Sequence, residues 1–298
     1  MAENLFSRRG FCAVVLVPAA LAPPAPALYP CMHMATTRTA GFKASIAAYA
    51  KAGFRAVELW LASADDFLPQ SSPAEMKRML ADHGLAPVSA GSVRSLFFAR
   101  SPEHAKRMDE LKARLELCAQ LGIPFLVSPS VVNEKGIRSA DFEAGAATAH
   151  EVGEIARQFK VVVGVEFLKT ANYLGCLTSV LELCRKAGHP NVRPVLDTFH
   201  FHAGVSKMED LDLLREGELG LLHICDVPAS VPREVLGDGD RVLPGEGCIP
   251  LDKIVARVTA AGYRGPVSLE LFNKTLWNED PAAVARKALA AIRRVCAC

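Results

Sequence analysis

The sequence predicts a single α/β domain in which eight strand–helix units close into a parallel (β/α)₈ TIM barrel. Three observations carry this. Short apolar runs alternate with amphipathic helical segments along almost the whole chain. The runs are continuous in Val, Ile and Leu, the pattern of parallel strands covered on both faces. Eight such units in about 250 residues is the arithmetic of this barrel. A doubly wound sheet would more often place a Gly-rich phosphate turn after its first strand, and "MHMATTRTAG" contains no GxGxxG.

In chain order, the strand-like runs are "LYPCMHM" (28–34), "AVELW" (56–60), "APVSAGS" (86–92) and "FLVSPS" (125–130). They continue with "VVVGVEF" (161–167), "VRPVLDTF" (192–199), "LGLLHICD" (219–226) and "PVSLELF" (266–272). Between them lie "FKASIAAYAKAG", "AEMKRMLADHG" and "MDELKARLELCAQLG". Each ends in Gly, which suits a helix C-terminus. No linker-like stretch divides the chain, so residues 28–298 read as one domain.

Residues 1–27 read differently. "MAENLFSRRGFCAVVLVPAALAPPAPA" pairs Arg8 and Arg9 ahead of an apolar stretch and ends in small residues. That is the shape of an export signal with a twin-arginine motif, and it implies a periplasmic enzyme. The alternative is a start codon set too far upstream of a cytoplasmic protein. The nine cysteines are scattered without a CxxC, and Cys225 sits in an apolar run. A chain this long needs no disulfide staples, so mostly free, buried thiols are expected, with Cys296 and Cys298 frayed at the terminus.

Composition excludes several classes. Formal charge is +2 across 298 residues, with acids and bases interspersed and no basic stripe to grip a nucleic acid. No interior apolar run is long enough to span a bilayer. The partner expected is a small molecule, and a homo-oligomer stays open.

In such a barrel the active site gathers at the C-terminal strand ends. Here the last four strands each finish with a metal-ligand type: Glu166, Asp197, His223 and Glu270. Neighbouring strands are ~4.8 Å apart, so four adjacent ends can converge on one point. Three carboxylates and an imidazole make a hard site for one Mn²⁺ or Mg²⁺, with Co²⁺ or Zn²⁺ as alternatives. Such an ion would explain how Asp197 is tolerated at the end of a buried strand. Any one of these residues alone would read as a salt-bridge partner or a core histidine; four on successive strands point to a site.

Other polar groups lie near. His200 follows Asp197 by three residues, and Asp226, three past His223, could orient that imidazole from behind. Arg241 in "DGDRVLPGEG" could hold substrate oxygens as a fixed fork of donors or be an ordinary surface arginine. Glu58 at the second strand end faces the same rim as a weaker substrate contact. His202, Lys169 and His33 are weaker still.

"VEF", "VLDTFHFHAG", "HICD", "DRVLPGEG" and "VSLELF" resemble the xylose-isomerase-like TIM barrels, most of all inosose (keto-inositol) isomerase and related sugar isomerases and epimerases. The resemblance runs through most of residues 28–298 and is densest in the second half. It implies Glu166, Asp197, His223 and Glu270 as the ligands of one divalent metal. It also implies Glu166 and Glu270 as the proton-transfer pair, with His200 and Arg241 on substrate oxygens. The chain departs from the inosose pattern at "MHMATT", where an Asn-Glu pair is usual, and at Trp60, where a polar residue is usual.

The chemistry implied is proton transfer beside a ketone. A cation on the carbonyl and a neighbouring hydroxyl stabilises the enediolate while one glutamate takes the proton and either returns it. Isomerase and epimerase then differ in how the sugar is held. A lyase expelling a leaving group from a keto-glycoside is the first rival. An endonuclease IV-like hydrolase is disfavoured, because its Asp-x-His is replaced by Asp240-Arg241-Val242. A non-catalytic sugar-binding barrel would have no use for paired glutamates.

Overall fold

Eight parallel strands pair in chain order, and the eighth closes on the first. The computed structural model describes residues 28–296 and Cys298, so the expected export segment, residues 1–27, lies outside the described residues. The strands are β1 (Leu28–His33), β2 (Ala56–Trp60), β3 (Ala86–Gly91) and β4 (Phe125–Pro129). The second half adds β5 (Val162–Glu166), β6 (Val192–Asp197), β7 (Leu221–Ile224) and β8 (Gly265–Leu269). Among the described residues no helix is long and apolar enough to cross a membrane.

Alternation along each strand makes two cores. Residues such as Met32, Val57, Leu59, Leu126, Val163, Leu196, Leu222 and Val267 face out and pack under the helices in one large cluster. Phe125, Val127, Val195 and Leu221 face in and form a separate plug within the barrel. Two glycines make room for that plug: a Cβ at Gly164 would lie 2.3 Å from the Phe125 ring, and one at Gly220 2.7 Å from it. The same inward parity places Glu166 opposite Pro129, Asp197 opposite His223, His223 opposite Ser268, and His33 opposite Glu58.

Two expectations need correction. The sixth strand stops at Asp197, not Phe199, because the Asp197 side chain caps the helix Thr198–Ala203. Cys296 is not frayed: it is buried at the end of the helix Pro281–Cys296. All eight cysteines among the described residues are free, as expected.

Candidate metal centre

Strand ends deliver the four ligand-type side chains together. Glu166 ends β5, Asp197 ends β6, His223 lies in β7, and Glu270 follows β8 by one residue. All four are buried, and one donor atom from each lies within 4.8 Å of the others. His223 sits at the centre. Its Nδ1 is 3.1 Å from Glu166 Oε1, 3.6 Å from Glu270 Oε2 and 3.9 Å from Asp197 Oδ2.

The partner of the opposite nitrogen corrects the reading of two residues. His223 Nε2 donates to the Glu58 carboxylate at 3.0 Å, and Ser268 Oγ donates to the same carboxylate at 2.6 Å. Glu58 is fully buried and bonded to the imidazole, so it lies on the cavity floor behind His223 and not at the rim. Asp226 does not touch His223. Its carboxylate accepts backbone N–H bonds from Val227, Gly245, Gly247 and Ile249, which ties down the loop that carries Arg241. That tie needs glycine, since a Cβ at Gly247 would fall 2.1 Å from the Val227 carbonyl oxygen.

Arg241 is also more committed than expected. Nη1 donates to Asp197 Oδ2 at 2.7 Å and Glu270 Oε2 at 3.1 Å, while Nη2 donates to Asp238 Oδ1 at 2.8 Å. The guanidinium is buried between the rings of Phe199 and Phe272, 4.5 and 5.3 Å from their centroids. It braces two carboxylates of the centre rather than presenting a free fork. His200 lies 3.3 Å from Arg241 Nη2 and lines the same cavity.

The charges explain themselves by burial and neighbours. Burial pushes the Glu166 carboxyl up, the charges of Glu270 and Asp197 add to this, and His223 opposes it; the outcome is about 7. Burial acts the same way on Glu58, but His223 and His33 outweigh it and bring that carboxyl down to about 2. Asp197 is held low despite burial by Arg241, His200 and His223. His223 is raised despite burial by Glu58 and Glu270. His200 is lowered to about 4, first by burial and then by the Arg241 cation.

This donor set fits a divalent cation. Acid groups crowded in a buried space need a counter-charge, and hard oxygen donors with one imidazole suit Mn²⁺, Mg²⁺ or Zn²⁺. An imidazole whose far nitrogen hydrogen-bonds a carboxylate is the arrangement metal-ligating histidines use.

The centre opens into a cavity of about 280 Å³. Sequence reasoning ranked His33 low, yet its Nδ1 accepts from Ala35 N at 3.0 Å and its Nε2 lies 3.4 Å from Glu270 Oε1. The signal was its place at the end of β1. Trp60, Phe272 and Phe199 form apolar walls, and Trp60 packs edge-on against both His33 and Phe272. Lys169 lines the mouth; His202 is not among the lining residues.

The same barrel occurs in known proteins. Inosose isomerase of Halalkalibacterium halodurans is 30% identical over 214 residues, 70% of this chain and 74% of that protein. A 3-dehydroshikimate dehydratase of Pseudomonas putida is 28% identical over 231 residues, 76% of this chain but 35% of the longer relative. The crystal structure of IolI protein with a binding zinc atom superposes with a TM-score of 0.84 at 25% identity, covering 91% of this chain and 98% of that one. These relatives are enzymes, and residues 46–295 match the family described as the xylose isomerase-like TIM barrel. With fold, match and strand-end cluster in agreement, the chain belongs to the xylose isomerase-like TIM barrel family.

Proposed function

We propose that this protein is a divalent-metal-dependent isomerase or epimerase that moves a proton beside the carbonyl of a keto-sugar or keto-inositol. The observation that carries this is the placement of two buried glutamates, Glu166 and Glu270, on either side of His223 at the floor of one sugar-sized cavity. Glu166, Asp197, His223 and Glu270 would hold the ion, with Mn²⁺ or Mg²⁺ as the first choices. When bound, the ion polarises a carbonyl and an adjacent hydroxyl and so lowers the cost of removing the proton between them.

The chain's own groups do the rest. Glu270 takes the proton, with Oε2 steadied by Arg241 and Oε1 facing His33. Glu166, buried on the other side of His223, can hold or release a proton there. Glu58 keeps His223 turned with Nδ1 toward the carboxylates. Trp60 and Phe272 shed water and offer a flat apolar wall to a ring.

A second reading, a lyase or dehydratase on a cyclic keto-polyol, is favoured by one observation: a dehydratase stands among the relatives. Proton removal is the same first step in both. Export by residues 1–27 would place the enzyme in the periplasm, and cell fractionation with and without Arg8 and Arg9 tests that. The reaction is tested by metal analysis together with tritium wash-out from keto-inositols, ketohexoses and keto-glucosides. Near one divalent ion per chain with wash-out from any member supports the proposal. No ion and no exchange after adding Mn²⁺, Mg²⁺, Co²⁺ or Zn²⁺ overturns it.

A further inference from the structure

The cavity changes sign between floor and mouth. Its floor is acidic, with Glu58, Glu166 and Glu270 all buried. Its mouth carries two cations, Arg94 on the chain after β3 and Lys169 on the chain after β5. Arg241, deeper in, is paired with Asp197, Glu270 and Asp238. Among the described residues, Arg94 and Lys169 form no ion pair.

The backbone under Arg94 is fixed. Val93 N donates to Val127 O at 3.3 Å and Ser95 N to Pro129 O at 2.9 Å, which continues the strand pairing to β4 past the end of β3. Val93 and Ser95 are buried, and Arg94 between them is exposed and lines the cavity. Lys169 is anchored too: its Nζ donates to Leu236 O and lies 5.8 Å from the centre of the Phe199 ring. An ammonium has three donors, so two remain for a ligand. One strand, β4, separates β3 from β5, so the two chain segments stand roughly 10 Å apart, within reach of two long side chains converging on one group.

We infer that the substrate carries an anionic substituent, a carboxylate or a phosphate, at the end remote from its reacting carbonyl, and that Arg94 and Lys169 bind it across the cavity mouth. The inference rests on the proposed reading of this cavity as a keto-sugar site. The charge gradient sets the direction of binding. The floor carboxylates are answered by His223, Arg241 and the proposed ion, so the cations left without an ion-pair partner stand at the mouth, where guanidinium and ammonium donors attract an anion with charge-assisted hydrogen bonds. The substrate's neutral carbonyl end therefore enters first. A volume of about 280 Å³ fits one sugar-sized molecule, near the lower end of small-molecule sites.

The test uses the full chain loaded with Mn²⁺ and three ketoses that differ only at the last carbon: fructose, fructuronate, and fructose phosphorylated there. Tritium exchange beside the shared ketone is measured as kcat/KM. The charged ketoses should exceed fructose by about ten-fold or more, and Arg94→Gln or Lys169→Gln should each cut the charged-to-neutral ratio by about ten-fold, chiefly through KM. The KM of the charged member should also rise with salt. A preference for fructuronate identifies a carboxylate, and one for the sugar phosphate a phosphate. A ratio near one in the parent enzyme, or a ratio unmoved in both variants, overturns the inference. If none of the three exchanges, the keto-sugar reading fails, and calorimetry with glucuronate against glucose decides the rest. Salt-sensitive glucuronate binding lost in Arg94→Gln keeps the anion site; equal or absent binding of the two sugars removes it as well.

Discussion

At the ends of β5 to β8 stand Glu166, Asp197, His223 and Glu270, whereas at the ends of β1 to β4 stand His33, Trp60, Gly91 and Pro129. The contrast continues below the rim. On β4, β6 and β7 the interior is apolar, filled by Phe125, Val127, Val195 and Leu221. On β1, β2, β3 and β8 it is small and polar, with Cys31, Glu58, Ser89 and Ser268 all buried, so the interior divides one strand out of step with the rim. One half thus carries the ligand-type groups, and the other shapes the wall and supplies charge from behind. Glu58 joins them, reaching from β2 to the imidazole on β7.

The largest break in this comparison comes from the ligand half. Replacing Glu270 with Gln keeps the volume and the contact with Arg241 but removes the base. Turnover should fall by about 10²–10⁴-fold, while a non-reactive substrate analogue still binds. A fall of less than about ten-fold would assign proton transfer to another group.

A change in the other half tests the link between them. Glu58→Gln leaves His223 Nε2 a weaker, neutral partner, and should weaken metal affinity by about 10–100-fold with little change in fold. Trp60→Ala, also on β2, should leave metal affinity alone and raise KM through loss of the wall. Metal titration followed by calorimetry separates the two. Equal metal loss in both variants would mean that β2 acts by general packing, and the special place of Glu58 would be lost.

The ligand half was the half legible in sequence. Glu166 and Asp197 end otherwise apolar runs, and a charge there announces itself because burial without a partner is costly. The support half was harder to read. Asp226 stands three residues from His223 and looked like its partner, but the true partner is Glu58, 165 positions away in sequence and across the barrel. Strand pairing brings together residues whose separation in the chain carries no signal. The overrun of the sixth strand has a local cause: "DTFHFH" alternates as a strand would, and the Asp197 cap that turns it into a helix is also a ligand-type residue. Arg241 lies at the cavity, one of its two readings, but its donors are taken: Asp238 stands three residues away in the chain, while Asp197 and Glu270 meet it only in the fold.

The smallest effect lies outside the site, where the halves are strapped together. Asp141, which caps the helix Ser139–Gln158 through Arg138 N, accepts two hydrogen bonds from Arg100 at 2.9 and 3.0 Å. Tyr173, on the chain after β5, donates to Phe97 O and Asp141 O, so loops of both halves meet there. The Arg100 bonds, followed by the Arg138 backbone N–H, hold the Asp141 carboxyl below its usual range. A depressed folded pKa adds stability that is present above the unfolded value of about 3.9 and is lost as pH falls below it. Arg100→Ala should therefore lower the melting temperature modestly at neutral pH, and the gap to the parent protein should close as pH falls from about 5 toward 2. Thermal melts across that range give the answer. A gap that stays constant with pH would show that Arg100 acts by packing over Phe98, 5.3 Å from its ring centroid, and not through the carboxylate.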